Sequence, residues 1–483
     1  ENNQWGLSTL SNQQFACKQF IDKGVGYGMK ALQIDGNNIL EVYETIKKIR
    51  SKQQKDPKPY LVECITFRIR GHEEASGTKY YPEGLVDKWS KKDPVSNFER
   101  YLLDNEVISL NEVEELKKDI TKTISDAFEE ASLEPEIVPN TEEELNDMFK
   151  SYEQKVSTPS SDKKELRFID AISDGLDQAM QKHENLILMG QDIADYGGVF
   201  KITDGFLEKY GRGRVRNTPL CESAIIGAGL GLSINDYKAM VEMQFSDFVS
   251  VGFNQIVNNL AKIHYRWGQH ADVVIRMPTG GGVAAGPFHS QSTEGWFFHT
   301  PGLKIVYPSS PEDAKGLLLA SFEDPNPVMF FEHKALYRSL KGEVPQGYYT
   351  TEIGKAKVVN EGLDLTVVTY GMGVHWALEL LTDFTDYSIE IIDLVTLSPL
   401  DTESIYRSVK KTGKALVLHE ANYKGGIGAE VASLIQENCF RYLDAPVKRL
   451  ASLDTPVPFA EALEQNFLPK NRLKDTVYNI LTY

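Results

Sequence analysis

Three groups of residues have the types and spacing that chemistry requires. In Thr218-Pro219-Leu220-Cys221-Glu222-Ser223 a carboxylate heads an apolar, glycine-rich stretch that reads as a helix. A carboxyl so placed either caps its helix or, once buried, rises in pKa and serves as proton donor and acceptor. Glu242-Met243-Gln244-Phe245-Ser246-Asp247-Phe248 follows a strand-like segment, and farther on Gly280-Gly281-Gly282-Val283-Ala284-Ala285-Gly286 leads into Pro287-Phe288-His289-Ser290-Gln291-Ser292. A glycine-rich loop thus presents His289, whose imidazole is either merely solvated or titrates in the range useful for proton transfer. The second group, Arg68-Ile69-Arg70-Gly71-His72-Glu73-Glu74-Ala75-Ser76-Gly77-Thr78, lies just after an apolar stretch with strand character. Ligands of open α/β sheets bind at the carboxyl ends of strands, and two arginines with a histidine there can hold an anion or pair internally. The third is Glu1-Asn2-Asn3-Gln4-Trp5-Gly6-Leu7-Ser8, whose adjacent amides on their own suit a helix cap.

Other chemistries are excluded by spacing. The glycines at 24, 26 and 28, and at 227, 229 and 231, do not keep the G-x-G-x-x-G pattern with its acidic ribose ligand. Gly227 to Gly231 is read as a small-residue helix that lets another helix approach closely. Walker loops, H-E-x-x-H and G-x-S-x-G are absent, and Cys17, Cys64, Cys221 and Cys439 form no C-x-x-C pair. Disulfide frameworks and zinc knuckles are therefore not expected, and a reducing cytoplasm is. With 52 Lys and Arg against 69 Asp and Glu, the net charge of −17 argues against a nucleic-acid partner. No apolar run approaches the ~20 residues that span a bilayer, so no membrane partner is expected. The first residues carry no signal-peptide pattern. The chain opens at Glu1 inside patterned sequence and without Met, which leads to the expectation of a fragment, a processed form or one half of a larger whole.

The elements that must position these residues are α/β. The 483 residues, 41% hydrophobic and 25% charged, are enough for about three domains with ordinary cores. Ala31 to Ile34 reads as a strand closed by the turn Asp35-Gly36-Asn37-Asn38. Apolar residues at helical spacing from Ile39 predict a helix to Gln53, stopped by Pro57-Lys58-Pro59. Tyr60 to Phe67 is a buried strand, and 97–149 is helical and acidic. The polar, aperiodic stretch 151–165 reads as a linker. A second α/β unit follows from about 166, with a helix to Lys182 and the strand Leu186 to Gly190. A third carries the strands Leu365 to Val368, Ile389 to Asp393 and Ala415 to His419. Alternation of strands and helices predicts mostly parallel, doubly covered sheets.

At these residues the sequence resembles the decarboxylating first component of 2-oxo-acid dehydrogenase complexes, the thiamine-diphosphate enzymes acting on pyruvate or branched-chain 2-oxo acids. Residues 1 to about 150 are similar to the C-terminal part of the family's α subunit, and about 165 to 483 resemble a whole β subunit. A fused α–β chain lacking the N-terminal part of α is implied. The fold implied is three α/β modules of the thiamine-diphosphate-binding, transketolase type, the first incomplete: 1–150, a linker at 151–165, a pyrimidine-binding domain at 166–350 and a transketolase-C-like domain at 351–483.

What the resemblance implies for the site is specific. Asn3 would offer its side-chain oxygen, and Trp5 its backbone carbonyl, to Mg²⁺, although the Gly-Asp-Gly opening of that motif is not in this chain. His72 matches the second histidine of the family's His-Gly-His loop, with Arg70 where relatives carry the first, so Arg70 keeps a cation near the diphosphate. Glu73-Glu74 replaces a serine of some mitochondrial relatives, so phosphorylation there is not implied. Glu222 matches the glutamate that shares a proton with N1′ of the aminopyrimidine, Leu220 belongs to the same cofactor-binding segment, and Phe248 matches the aromatic that stacks on that ring. His289 matches the second active-site histidine, suited to the substrate carboxylate or to acyl transfer. The activity implied is oxidative decarboxylation of a 2-oxo acid with reductive acylation of a lipoyl group, in partnership with a lipoyl acyltransferase and as a homodimer or higher assembly. A transketolase-like carboligase, and a cofactor-free assembly fragment, remain the alternatives.

Overall fold

The computed structural model describes residues 1–483 except Glu74 and Ser76, so the expectation for Glu74 lies outside the described residues. The chain divides into two compact units, Glu1–Val138 and Pro139–Tyr483.

In the first unit, two parallel strands, β1 (Lys30–Asp35) and β2 (Tyr60–Ile65), flank helix α1 (Ile39–Gln53). The helix spans the residues its periodicity predicts. Asn38 caps it by accepting from Glu41 N–H, and Arg50 and Lys52 complement the carbonyl end. Among the helices that follow are α2 (Pro94–Asp104), with Pro at its first turn, and α3 (Leu110–Leu133), opened by a capping box between Ser109 and Glu112.

The second unit holds two large sheets and a two-stranded one. Helix α4 (Phe168–Lys182) leads into β3 (Leu186–Gly190), then β4 (Val215–Asn217), α5 (Glu222–Ile234), β5 (Lys238–Glu242), β6 (Val273–Thr279), β7 (Lys304–Val306), α6 (Pro311–Glu323) and β8 (Val328–His333). The C-terminal part adds β9 (Lys357–Asn360), β10 (Leu365–Thr369), β11 (Ile389–Asp393), β12 (Thr396–Ser398), β13 (Ala415–Asn422), β14 (Lys448–Ser452) and helix α7 (Glu461–Phe467). The seven-stranded sheet runs β12-β7-β8-β6-β5-β3-β4 and the five-stranded one β9-β11-β10-β13-β14. All pairings are parallel except those of β12 and β9 at the sheet edges. Strands β3, β6, β8, β10 and β11 are buried on both faces, and β3 accordingly reads as a continuous apolar run. Because β12 comes from the C-terminal half yet pairs with β7, the two sheets are joined within one unit.

Two sequence expectations are refined. Gly229 does not serve a neighbouring helix. A Cβ there would meet Val241 and Val273 at 3.1 and 3.4 Å, so the glycine lets α5 lie close on the sheet, while Gly231 faces open space. The aperiodic stretch 151–165 is part of the second unit and is tied to its body. The Lys150 backbone exchanges hydrogen bonds with the Asn326 side chain, the Gln154 side chain exchanges them with the Ile353 backbone, and Ser157 N–H donates to Thr350. A strand, Lys163–Arg167, begins inside it and pairs with Lys341–Pro345. Local periodicity cannot reveal such contacts, because the partners lie nearly two hundred residues away.

Candidate functional site

In the second unit the candidate residues gather at the carboxyl ends of β3, β4, β5 and β6, where ligands of parallel sheets bind. Glu222 is the first residue of α5, and at 8% exposure it is buried. Gln191, immediately after β3, donates from Nε2 to Glu222 Oε1 at 3.0 Å. The amide oxygen of Gln191 is buried without a hydrogen-bond partner among the described residues. A buried orphan acceptor beside a buried carboxylate marks a place where a ligand donor is expected. Leu220, two residues ahead, is 82% exposed, so it offers apolar surface at the mouth rather than inside.

The chain leaves β5 into Gln244-Phe245 and then a tight helical turn over Ser246–Gly252 that packs on α5. A Cβ on Gly252 would overlap Ile226 of α5 and come within 3.5 Å of the Glu222 carbonyl, so glycine allows this close seating. Phe248 lies on that turn, half-buried. The ring of His289 stands edge-on to Phe248 and to Phe245, with centroids at 5.6 and 4.8 Å. The structure therefore brings His289 and Phe248 together, and the Phe248 turn packs against the helix that Glu222 opens.

Gln291 locks the histidine loop to this turn. Its backbone carbonyl accepts from Ser246 Oγ and Thr279 Oγ1 at 2.9 and 3.0 Å, and its amide groups donate to Asp247 Oδ1 at 3.2 and 3.1 Å. Burial raises the Asp247 pKa, with the Gln291 bonds opposing the shift. Below this floor Arg276, with no exposed surface, bridges Glu242 and Glu332, tying β5, β6 and β8 where the site loops depart. Sequence reasoning missed Gln191, Phe245 and Arg276 as site-supporting residues. Their available signal was position, one or a few residues from the carboxyl end of a buried strand.

In the first unit, Asn2 extends the small sheet. It pairs with Ile65 in a parallel bridge, receives at its carbonyl from Thr66 N–H at 3.0 Å and donates its own N–H to Cys64 at 2.7 Å. Its side chain donates to Glu63 at 2.6 Å. Burial raises the Glu63 pKa, but bonds from Asn2, Gln33 and the Phe20 and Ile21 N–H groups outweigh it and hold the carboxyl below its usual range. Asn3 Oδ1 accepts from Trp5 N–H at 2.9 Å, an Asx turn that sets this oxygen and the following backbone at the strand's carboxyl end. Arg68 reaches the Leu7 carbonyl, Tyr81 donates to the Arg68 carbonyl, and His72 lies 3.8 Å from Glu73. Arg70 and His72 follow β2 on the loop that turns at Gly71, whose φ of 81° suits glycine. Among the described residues no cluster of three or more His, Cys, Asp or Glu forms a metal site.

Three family models match successive parts of the chain. A model described as Dehydrogenase E1 component matches residues 1–140, one described as Transketolase, pyrimidine binding domain matches 164–339, and one described as Transketolase, C-terminal domain matches 354–472. The 2-oxoisovalerate dehydrogenase subunit beta of Bacillus subtilis is 46% identical over 310 residues, covering 63% of this chain and 94% of the relative. The pyruvate dehydrogenase E1 component subunit beta of the same organism is 41% identical, covering 66% and 99%. A mitochondrial 2-oxoisovalerate dehydrogenase subunit beta of Dictyostelium discoideum is 44% identical, covering 62% and 82%. Among solved structures, a split-gene transketolase in an inactive beta4 tetramer superposes with a TM-score of 0.54 at 22% identity, over 66% of this chain and 98% of its own, a likeness of fold. The chain belongs to the E1 components of 2-oxo-acid dehydrogenases, an enzyme class, with an E1 α-like segment ahead of pyrimidine-binding and C-terminal transketolase domains similar to E1 β subunits in one polypeptide.

Proposed function

We propose that this protein decarboxylates a 2-oxo acid oxidatively and passes the acyl group to the lipoyl arm of an acyltransferase partner. The observation that carries the reading is the buried Glu222, held by Gln191 beside an orphan amide oxygen, next to the turn whose Phe248 abuts His289. These residues fit the aminopyrimidine of thiamine diphosphate: a carboxyl to share a proton, an acceptor awaiting a donor, and an aromatic face. When bound, that cofactor supplies the electron sink for loss of CO₂. Glu222 holds a proton at N1′, Gln191 orients the carboxyl, and Phe248 packs on the ring. His289 binds the substrate carboxylate or moves a proton during acyl transfer.

Asn3 and Trp5 are proposed to give Mg²⁺ two oxygen ligands. The ion favours six, so the diphosphate, water and other oxygens must supply the rest. Arg70 and His72 are assigned to the diphosphate and the reacting groups. The working form proposed is a homodimer or larger. Leu220, Val251, Phe253, Tyr265 and Trp267, on and around the segments packed with α5, leave large apolar surface exposed. Four free cysteines accord with a reducing cytoplasm, and no helix among the described residues is long and apolar enough to cross a membrane.

The test is turnover of pyruvate and of branched-chain 2-oxo acids with thiamine diphosphate, Mg²⁺ and an artificial electron acceptor, repeated with a lipoyl domain. Glu222→Ala should lower turnover by at least about 100-fold, the scale of a lost general acid-base group. Undiminished turnover in that variant, or turnover of sugar phosphates without a lipoyl acceptor, would overturn the assignment.

A further inference from the structure

Four residues of the glycine-rich loop have left-handed backbone, Gly280, Gly282, Ala284 and Gly286, at φ of 89°, 79°, 54° and 71°. Such alternation turns successive N–H groups toward one side, forming a concavity that attracts an anion. The anion in it is Glu464 of α7. Its Oε1 accepts from Gly282 N–H and its Oε2 from Ala284 N–H, both at 2.9 Å, and the residue is 2% exposed. Glu420 of β13 takes the preceding N–H, that of Gly281, at 2.5 Å, and its second oxygen meets His333 Nε2 at 2.7 Å. Burial raises the Glu420 pKa, but His333, Gly281 and Lys334 outweigh it and keep the carboxyl below its usual range. Lys334 donates to the Gly280 carbonyl. At the far end the Phe459 ring occupies the space a Cβ on Gly286 would fill, and Gly286 accepts from His289 N–H at 3.4 Å.

Both carboxylates, Glu464 and Glu420, belong to the C-terminal part of the second unit, which contributes none of the proposed reacting residues. We propose that Glu464, with Glu420, is a positioning residue: by occupying the backbone N–H groups of Gly281, Gly282 and Ala284 the pair fixes the loop that presents His289. Glycine loses more freedom on ordering than any other residue, and charge-assisted bonds to a single carboxylate are a strong way to hold such a loop. The exposed side of the loop gives no comparable restraint, since Val283 and Phe288 face outward. The catalytic consequence rests on the role given to His289 above; the clamp itself does not.

The experiment compares Glu464→Gln and Glu464→Ala with Glu461→Gln, an exposed glutamate of the same helix. Backbone hydrogen exchange on the full chain, without substrate, should show protection of Gly282 and Ala284 falling at least about tenfold in both Glu464 variants while β6 and β8 stay protected. Unchanged protection would overturn the clamp. In the lipoyl-acylation assay, Glu464→Ala should lower kcat about 10-fold or more with the affinity for thiamine diphosphate unaltered. The same change made in a His289→Ala background should add little, because residues acting as one unit are non-additive. Fully additive losses would overturn the positioning role. Absence of 2-oxo-acid turnover in the unmodified protein would sink the proposed function instead, and the exchange measurement would still decide the clamp.

Discussion

Arg276→Met probes the floor of the site. The guanidinium is fully buried and meets two carboxylates, Glu242 and Glu332, whose side chains are 5% and 0% exposed. Tyr337 adds a hydrogen bond to Glu332 at 2.5 Å. Methionine fills much of the volume but leaves two facing carboxylates in a dry pocket. Removing one partner of a buried pair costs about 3–5 kcal/mol. One carboxyl can escape part of that cost by taking a proton. Glu242 already has a raised pKa, chiefly from burial, with Arg276 pulling it down and Glu332 pushing it up; loss of the arginine removes the opposing pull. A carboxyl whose folded pKa exceeds its unfolded value contributes stability that is complete below the unfolded value and is lost as pH rises through the folded one. The deficit of the variant should therefore be largest near pH 8 and shrink toward pH 5.5, by up to roughly 1.4 kcal/mol per pH unit while the proton is held only in the folded state. Denaturant unfolding at both pH values reads this directly. Glu242→Gln added to Arg276→Met should recover about half of the pH 8 loss, since a neutral amide is far cheaper to bury than a charge. A loss below about 1 kcal/mol at pH 8, or one equal at both pH values, would refute the reasoning, because the breaking of a buried pair is expected to exceed it.

Three other perturbations follow from the packing. Glu294 is fully buried and hydrogen-bonded by Tyr370, and burial pushes its pKa up to about 7. Its contribution to stability is present below the unfolded value of 4.5 and is lost as pH rises through about 7, so Glu294→Gln should gain on the unmodified protein between pH 5 and 8 in paired melts; a pH-independent difference would contradict this. Gly302, at φ 93°, sits where a Cβ would lie 1.9 Å from the Ala261 carbonyl oxygen, and backbone cannot step aside as a side chain can. Gly302→Ala should cost about 3 kcal/mol or more in denaturant unfolding, combining overpacking with left-handed strain, and an unchanged midpoint would refute it. Ser109→Ala removes the cap of α3 and should cost about 1 kcal/mol. Because that helix lies in the first unit, the loss should appear in exchange of α3 amides and leave the Glu222 helix untouched.

Elements whose cause is local were legible in the sequence, and associations whose cause is tertiary were not. Helix α1 runs over Ile39–Gln53 as its periodicity predicts, because spacing, an Asn cap and a basic last turn all act within one segment. The strand Leu186–Gly190 is an unbroken apolar run because both its faces are covered, which composition records directly. The types of the site residues were equally visible: a glutamate heading an apolar helix and a histidine after four glycines stand out on any reading. What gives those residues their geometry did not stand out. Gln191 looks like any polar residue at a strand end until the fold puts it on Glu222, 31 positions away. Glu464 looks like one of many acidic residues on a short helix, yet its two oxygens lie on amides about 180 positions earlier. A glycine-rich loop states in sequence only that the backbone is free to turn. Which way it turns is decided by the anion that fills it, and that anion is contributed by a part of the chain whose own pattern carries no catalytic signature. The reacting groups of such a site are readable in sequence as residue types, whereas the groups that hold them become readable only once the sheets have brought distant segments together.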